Sequence, residues 1–496
     1  MPASAPKAGS HPAAPARSWP LSSTPATEFF PHVAQEVAGL LTECARGRVR
    51  AVRGLTVITD RLAVPIGARC RIHTRHTDRI EAEVVGLSEG RALLSVFGEA
   101  TGIAPDDRVE CLSGPPRVPV GFDLFGRVID GQGRPLDGRP APWLNVRYPL
   151  YNDAPAAMYR RPIDQPLALG IRSMDALLAA GRGQRLGIFA GTGVGKSVLM
   201  GMICRNTAAD VNVVALVGER GREVREFVEK QLGPEGLAHS VVVVCTSDEA
   251  PALRVRACYH ATAIAEFFRD QGLDVLFMMD SLTRVAMAQR QIGLAAGEPP
   301  TAKGYPPSVY ALLPRLLERA GRTPRGSITG IYTVLVEGDD LDEPLSDAVR
   351  GVLDGHVWLS RALANRGHYP AVDVLNSISR VADDVTDAAH RQAVVRLRRV
   401  LAVWSDIEDL VSIGAYVPGA NVDYDVAVQT RAAVTAFLQQ DRAVRTTFEE
   451  SATALQQLAQ VCERAAEDPR ASARAAGKLE SRRDTARAEA RGSIGK

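Results

Sequence analysis

Apolar residues along this chain recur with two different periods, and each change of period marks where one kind of element gives way to another. Over 27–46, TEFFPHVAQEVAGLLTECAR, they fall at roughly helical spacing behind a Thr placed to cap. This predicts a helix that either packs on the body of the protein or docks a partner. Residues 48–115 change period: LTVITD, ARCRIHT, EAEVVGLS and RALLSVF are short strand-like runs parted by Gly, Pro and Asp, the pattern of a small β-barrel. The turn-rich stretch GFDLFGRVIDGQGRPLDG, 121–138, reads as a domain junction. From there to about 380, the buried-strand runs RLGIFA, NVVALVG, SVVVVCT, DVLFMMD and SITGIYTVLV are separated by amphipathic stretches such as REVREFVEKQL and HATAIAEFFRDQ. That alternation predicts a mainly parallel sheet with helices on both faces. Past 385, DAAHRQAVVRLRRVLAVWSDIEDLVSIG and DYDVAVQTRAAVTAFLQQ are helical, and the final stretch mixes both charges with Ala. The expected order is a disordered tail (1–26), a helix and β-barrel domain (27–118), an α/β domain (119–384), a helical domain (385–450) and a charged helical or disordered tail (451–496).

Composition narrows the class. A chain of 496 residues exceeds one core, while 46% hydrophobic and 23% charged residues describe a globular protein. The net charge of +2 gives no field that would draw nucleic acid. Apolar runs such as VNVVALV are strand-sized, so the expectation is a chain that does not cross a membrane; the Ala/Pro/Ser-rich first twenty residues lack the apolar core of a signal peptide. Seven scattered cysteines with no CxxC pair suit thiols in a reducing cytoplasm. The pair His73 and His76 reads as two exposed barrel residues, since no further ligand lies nearby in sequence.

The chemistry begins at AGTGVGKS, 190–197, one residue short of the phosphate-loop pattern GxxxxGK[ST] because Ala190 stands at the first glycine. It follows the strand RLGIF and opens the helix SVLMGMIC, so Gly191, Thr192, Gly193, Val194, Gly195 and Val198 would wrap phosphate oxygens with backbone N–H groups. Lys196 would neutralise the β- and γ-phosphates, and the Ser197 hydroxyl would ligate Mg²⁺. DVLFMMD ends an apolar strand in Asp280, placed to hold that metal through water or to cap the next helix. Glu219, after the strand NVVALVG, either polarises an attacking water or joins the surface pairs of its Arg/Glu-rich surroundings.

The run AGTGVGKS, GERGREVREF, MMDSLTR, GEPPTAKGYPPSVYALLPRLLERAG, VEGDDLDEP and YPAVDVLNSISR, in this order, resembles the hexameric rotary-type ATPase family, which includes the catalytic subunit of F-type ATP synthase. The resemblance runs from about residue 50 to 445 and implies a β-barrel, a RecA-like P-loop ATPase core and a C-terminal α-helical domain. It makes Glu219 the catalytic glutamate, sets Arg220 and Arg284 at the site, and makes Arg380 the arginine that reaches a neighbouring copy's γ-phosphate. It also makes Tyr369 an adenine-stacking ring, with Phe437 as a second wall, and ATP with Mg²⁺ the ligands. Within the family, IGAYVPGANVDYD replaces the strongly acidic loop of the synthase subunit, and a barrel segment with the single aromatic Phe97 lacks the stacking platforms of a Rho-like RNA motor. The motifs look most like the ATPases of type III protein export, flagellar first and injectisome nearly as closely. The implied partners are further copies of the chain in a homohexamer, a dimeric negative regulator docking on the first 46 or so residues, a central stalk protein, export chaperone–substrate complexes and the membrane export gate, with no nucleic acid. The implied place is the cytoplasm, at the inner membrane beneath the export apparatus.

Overall fold

In the computed structural model, which describes residues 45–60, 62–75, 79–112, 116–336 and 343–467, the alternating pattern of the first third closes into a barrel. The helix expected over 27–46 lies, up to residue 44, outside the described residues, as do 468–496 and the whole GDDLD stretch. Strands β1 (Arg46–Arg53), β2 (Thr56–Asp60), β3 (Arg69–His73), β4 (Arg79–Ser88), β5 (Arg91–Val96) and β6 (Arg108–Cys111) pair in the order β1-β2-β5-β4-β3-β6, and β1 joins β6 to seal the ring. Closure leaves no open edge. Val49, Val57, Ile72, Val84, Leu94 and Val109 alternate inward and fill the interior. The arginine-rich β1 and the short β6 carry too few apolar positions to register as strands by pattern, and only pairing reveals them. His73 is half-buried, with its Nε2 2.9 Å from Glu110 Oε2, so it is not the free surface residue expected; His76 lies outside the described residues.

β7 (Arg117–Val120) and β9 (Val146–Pro149) form a two-stranded ribbon, and β8 (Arg127–Asp130) leaves it to join the central sheet. The turn-rich 121–138 is therefore more than a junction. The sheet continues with β10 (Arg185–Ala190), β11 (Val211–Glu219), β12 (Ser240–Thr246), β13 (Asp274–Asp280), β14 (Gly321–Arg322), β15 (Ser327–Leu335), β16 (Gly355–Leu359) and β17 (Val372–Ser379). Its order is β17-β16-β10-β15-β13-β11-β12-β8, with β14 paired to β15 off this path. The inner pairs are all parallel, and β17 closes one side antiparallel to β16. Every residue of β11 is buried, as a parallel strand covered on both faces requires. Helix α1 (Arg172–Leu177) precedes β10, α2 (Lys196–Asn206) follows it, and α3 (Gly221–Glu226), α4 (Pro251–Asp270) and α5 (Leu282–Ala295) follow β11, β12 and β13.

The described residues end in three helices, α6 (Ala388–Ser412), α7 (Val422–Leu438) and α8 (Phe448–Glu467), packed on one another and on α1. The tail expected from 451 thus begins inside a packed helix. Ser451, Leu455, Leu458, Ala459 and Cys462 form a buried stripe at helical spacing that the surrounding charges mask in the sequence.

The barrel is fastened to the α/β domain by buried charge. Arg256 on α4 donates to Glu83 Oε2 on β4 at 2.9 Å, Tyr151 donates to the other carboxylate oxygen, and Phe97 lies under the same guanidinium. The barrel's aromatic therefore faces the neighbouring helix and offers no platform to a base. Behind it Arg319 pairs with Glu266 at 2.7 Å, both almost wholly buried. Burial raises the Glu83 carboxyl above its ordinary range, and Arg256 opposes that shift. Removing one member strands the other's charge, so Glu83→Ala should cost about 3–5 kcal/mol. Unfolding midpoints should show this loss, with much of it recovered when Glu83→Leu is combined with Arg256→Met.

Candidate active site

Strands β10, β15, β13 and β11 lie side by side and point the same way, so the residues at their C-terminal ends meet along one sheet edge. β10 ends at Ala190, wholly buried in extended backbone; the methyl at the glycine position fills core space without conformational cost. The loop turns at Gly195, φ 91°, a conformation costly for any residue with a Cβ, and α2 starts at Lys196 with its N-terminal amides facing the turn.

Lys196 Nζ donates to Asp280 Oδ1 at 2.5 Å and stands 4.0 Å from Glu219 Oε1. Asp280 Oδ1 accepts a second bond, 2.6 Å, from Thr333 Oγ1 on β15, the strand between β10 and β13. Arg284 on α5 reaches over the end of β11, its Nε 3.3 Å from Glu219 Oε1. That reach passes across Gly218, φ 74°, where a Cβ would lie 2.8 Å from Arg284 Cδ. Burial, then the nearby Asp280 charge, then a hydrogen bond with Glu223 raise the Glu219 pKa to about 7 against the pull of Lys196 and Arg284. Glu223, the acceptor of that bond, is pushed the opposite way. A carboxyl poised near neutrality beside a lysine and a second carboxylate is equipped to take a proton from water.

Beside the loop opens a cleft of about 400 Å³, lined by Gly193, Gly195, Val198, Tyr369 and, opposite, Gln440, Asp441 and Arg442. Tyr369 is half-exposed, with its ring edge against Gly195. Thr192 and Ser197 are exposed, while Gly191 and Val194 are buried beneath the loop.

Three of the expected residues stand apart. Phe437 is not a wall of the cleft: it belongs to the inward stripe of α7 with Val426 and Val434, buried beneath the guanidinium of Arg172. Arg220 is the residue at the N-terminal cap position of α3, its side chain 73% exposed and paired to Glu223 at 3.6 Å. Arg380 N donates to Asp354 O, and the Asp354 carboxylate holds Arg185 at the first residue of β10. Arg380 thus sits, exposed, at the opposite sheet edge, roughly 15 Å of strand from its own loop. Sequence reasoning passed over Thr333, Glu223 and Arg361, whose Nη1 donates to Thr192 O at 3.0 Å. Glu223 lay in a quoted motif, but Thr333 and Arg361 have no local signal, because only strand order and the β16 connection bring them in.

Residues 170–379 match the nucleotide-binding domain of the ATP synthase alpha/beta family, 49–113 its beta-barrel domain, and 386–457 the T3SS EscN ATPase C-terminal domain. The chain is 52% identical to the flagellum-specific ATP synthase of Bacillus subtilis (strain 168), over 83% of this chain and 94% of that protein. It is 50% identical to the type 3 secretion system ATPase of Xanthomonas euvesicatoria, over 85% and 95%. The solved structure of the assembled ATPase EscN with its central stalk EscO, from the type III secretion system of enteropathogenic E. coli, superposes with a TM-score of 0.77 at 41% identity, covering 83% of this chain and all of that one.

The raised Glu219 carboxyl has a measurable consequence. The folded chain holds a proton there to about pH 7, whereas an unfolded glutamate releases it near 4.5, so the folded state binds more protons in between. Stability from this group is therefore present at the acid end and lost as pH rises through the folded value. Melting midpoints recorded from pH 5 to 7.5 should fall less steeply in Glu219→Gln than in the wild type.

Proposed function

Because the chain belongs to the ATP synthase alpha/beta family, in the branch of the flagellum-specific and type III secretion ATPases, we propose that it hydrolyses ATP at interfaces between its own copies to drive type III export of flagellar proteins. The observation that carries this reading is the division of the site. Lys196, Asp280 and Glu219 share one sheet edge, while Arg380 stands exposed at the other and cannot reach its own loop.

ATP lies with its phosphates on the 190–198 loop and its base against Tyr369. Lys196 leaves Asp280 for the β- and γ-phosphates, a move for which Asp280 and Thr333 keep it in place. The Ser197 hydroxyl and, through water, the Asp280 carboxylate are hard oxygen donors that would hold Mg²⁺. When bound it would supply positive charge to the phosphates. Glu219 orients the water and accepts its proton, Arg284 holds the Glu219 carboxylate, and Arg380 of the next copy stabilises the charge that develops on the γ-phosphate. Six copies forming a ring, with a stalk at its centre, accord with the assembled EscN–EscO structure and with the family resemblance. No helix among the described residues is long and apolar enough to cross a membrane. In this reading the ring docks on the export gate from the cytoplasmic side. A dimeric regulator and chaperone–substrate complexes are the further partners of this reading. The Xanthomonas relative favours a second reading, the ATPase of an injectisome. Deleting the gene decides: lost flagellar filaments support the first, intact motility with lost injected proteins the second.

Purified Lys196→Ala should have no measurable ATPase, whereas Glu219→Gln should retain nucleotide binding and lose turnover by about 10²–10⁴-fold. Tyr369→Ala should weaken ATP binding by about tenfold or more, the loss of one stacked ring. Rings mixed from Lys196→Ala and Arg380→Ala copies should regain activity that neither shows alone.

A further inference from the structure

The strand that carries Arg380 does not run straight to it. Gly355 and His356 pair with Ser379 and Ile378, while Trp358 and Leu359 pair with Asp373 and Val372. Val374–Ser377 therefore stand opposite the lone Val357, a bulge that takes their backbone out of the ladder. Some of the freed groups are satisfied nearby. Asn376 N donates to Asp373 Oδ1 at 3.1 Å, Trp358 N to Ser377 Oγ at 2.8 Å, and His356 Nε2 to Asn376 O at 3.1 Å. The carbonyls of Val374 and Ser377 turn instead to the helical domain. There Arg398 Nη2, on α6, donates to both, at 2.6 and 2.5 Å.

This use of an arginine is unusual in its cost. Arg398 is half-buried, desolvation lowers its pKa, and among the described residues it has no carboxylate partner. A charge has been drawn partly out of water to hold two neutral carbonyls, where the bonds gain strength from the charge they carry. The second carbonyl lies three residues before Arg380. On the sheet side the same strand end is fixed by Ser379 Oγ to Ala179 O and by Arg380 N to Asp354 O. The strand is thus anchored to the ATPase domain at one end and to the helical domain at its bulge.

We propose that Arg398 is a positioning residue: through its two carbonyl contacts the C-terminal helical domain sets the strand that presents Arg380 to the neighbouring copy. A shift of the helical domain relative to the sheet then moves the arginine. The inference rests on the reading that Arg380 acts on the neighbour's site.

The test uses full-length chains assembled into rings. Arg398→Met keeps the packing stem and removes the donors; Arg398→Lys returns one donor. Uniform Arg398→Met rings should lose kcat by about tenfold or more, as small misplacements of a reacting group do, with KM for ATP within about twofold of wild type. Arg398→Lys should fall between. Since each Arg398→Met copy keeps its own Lys196 and Glu219, mixing it with Lys196→Ala copies should restore turnover as the Arg380→Ala mixture does. Wild-type kcat in uniform Arg398→Met rings would overturn the proposal. So would failure of its mixture to recover while the Arg380→Ala mixture does, which leaves the shared-site reading standing. If the Arg380→Ala mixture itself stays inactive, that reading falls and takes this inference with it. Should Arg398→Met not assemble, Arg398→Gln enters the same mixtures with the same outcomes.

Discussion

The contact on which the site depends is the buried pairing of Lys196 with Asp280 at the C-terminal edge of the sheet. Neither charge could be held out of water alone, because isolated buried ions cost several kcal/mol each. Together, with Thr333 bonded to the same carboxylate oxygen, they are held in place at modest cost. The arrangement follows from strand order. A parallel sheet sends every loop after an inner strand to one edge, and the order β10-β15-β13-β11 sets lysine, threonine, aspartate and glutamate in a row there. Glu219 is added to a site that already holds a carboxylate, and this crowding, with burial, is what raises its proton affinity.

The same sheet is the ground for proposing a site shared between copies. Its two edges are separated by the length of a strand, and the chain places the phosphate loop on one edge and Arg380 on the other. An arginine side chain cannot span that distance. In the proposed ring the two edges of adjacent copies face each other, so catalysis reports assembly, and the helical domain holds the arginine strand through Arg398.

Around this frame the domains are joined by different physics. The barrel is fastened by a buried ion pair, Glu83 with Arg256, whose helix is itself held within the α/β domain by the buried pair of Glu266 with Arg319; such pairs demand one geometry and penalise any other. The helical domain is joined instead through an apolar face on α1 and through polar contacts at the cleft, where Gln440 N donates to Tyr369 O and its side chain holds Arg172 and Gly170. Rigid ionic fastening suits a support, and a softer joint beside the nucleotide cleft suits a part that shifts as the site fills.

Much of this was legible along the chain because it is written in local spacing. The phosphate loop, the strand ending in Asp280 and the helical C-terminal region need only neighbours in sequence, since the backbone there makes its own turns and ladders. Elements that borrow their stability escaped: β1 and β6 exist because they close a barrel, β8 because β12 pairs with it, and α8 because its sparse apolar stripe finds a groove. Phe437 shows the opposite error, a ring named for a role by its place in a motif and claimed by the core through its helical phase. The sequence by itself determined which side chains could do the chemistry. Tertiary structure decided which of them meet, because the distances between Lys196, Thr333 and Glu223, and between Arg398 and the Arg380 strand, depend on strand order and domain packing that no local pattern encodes.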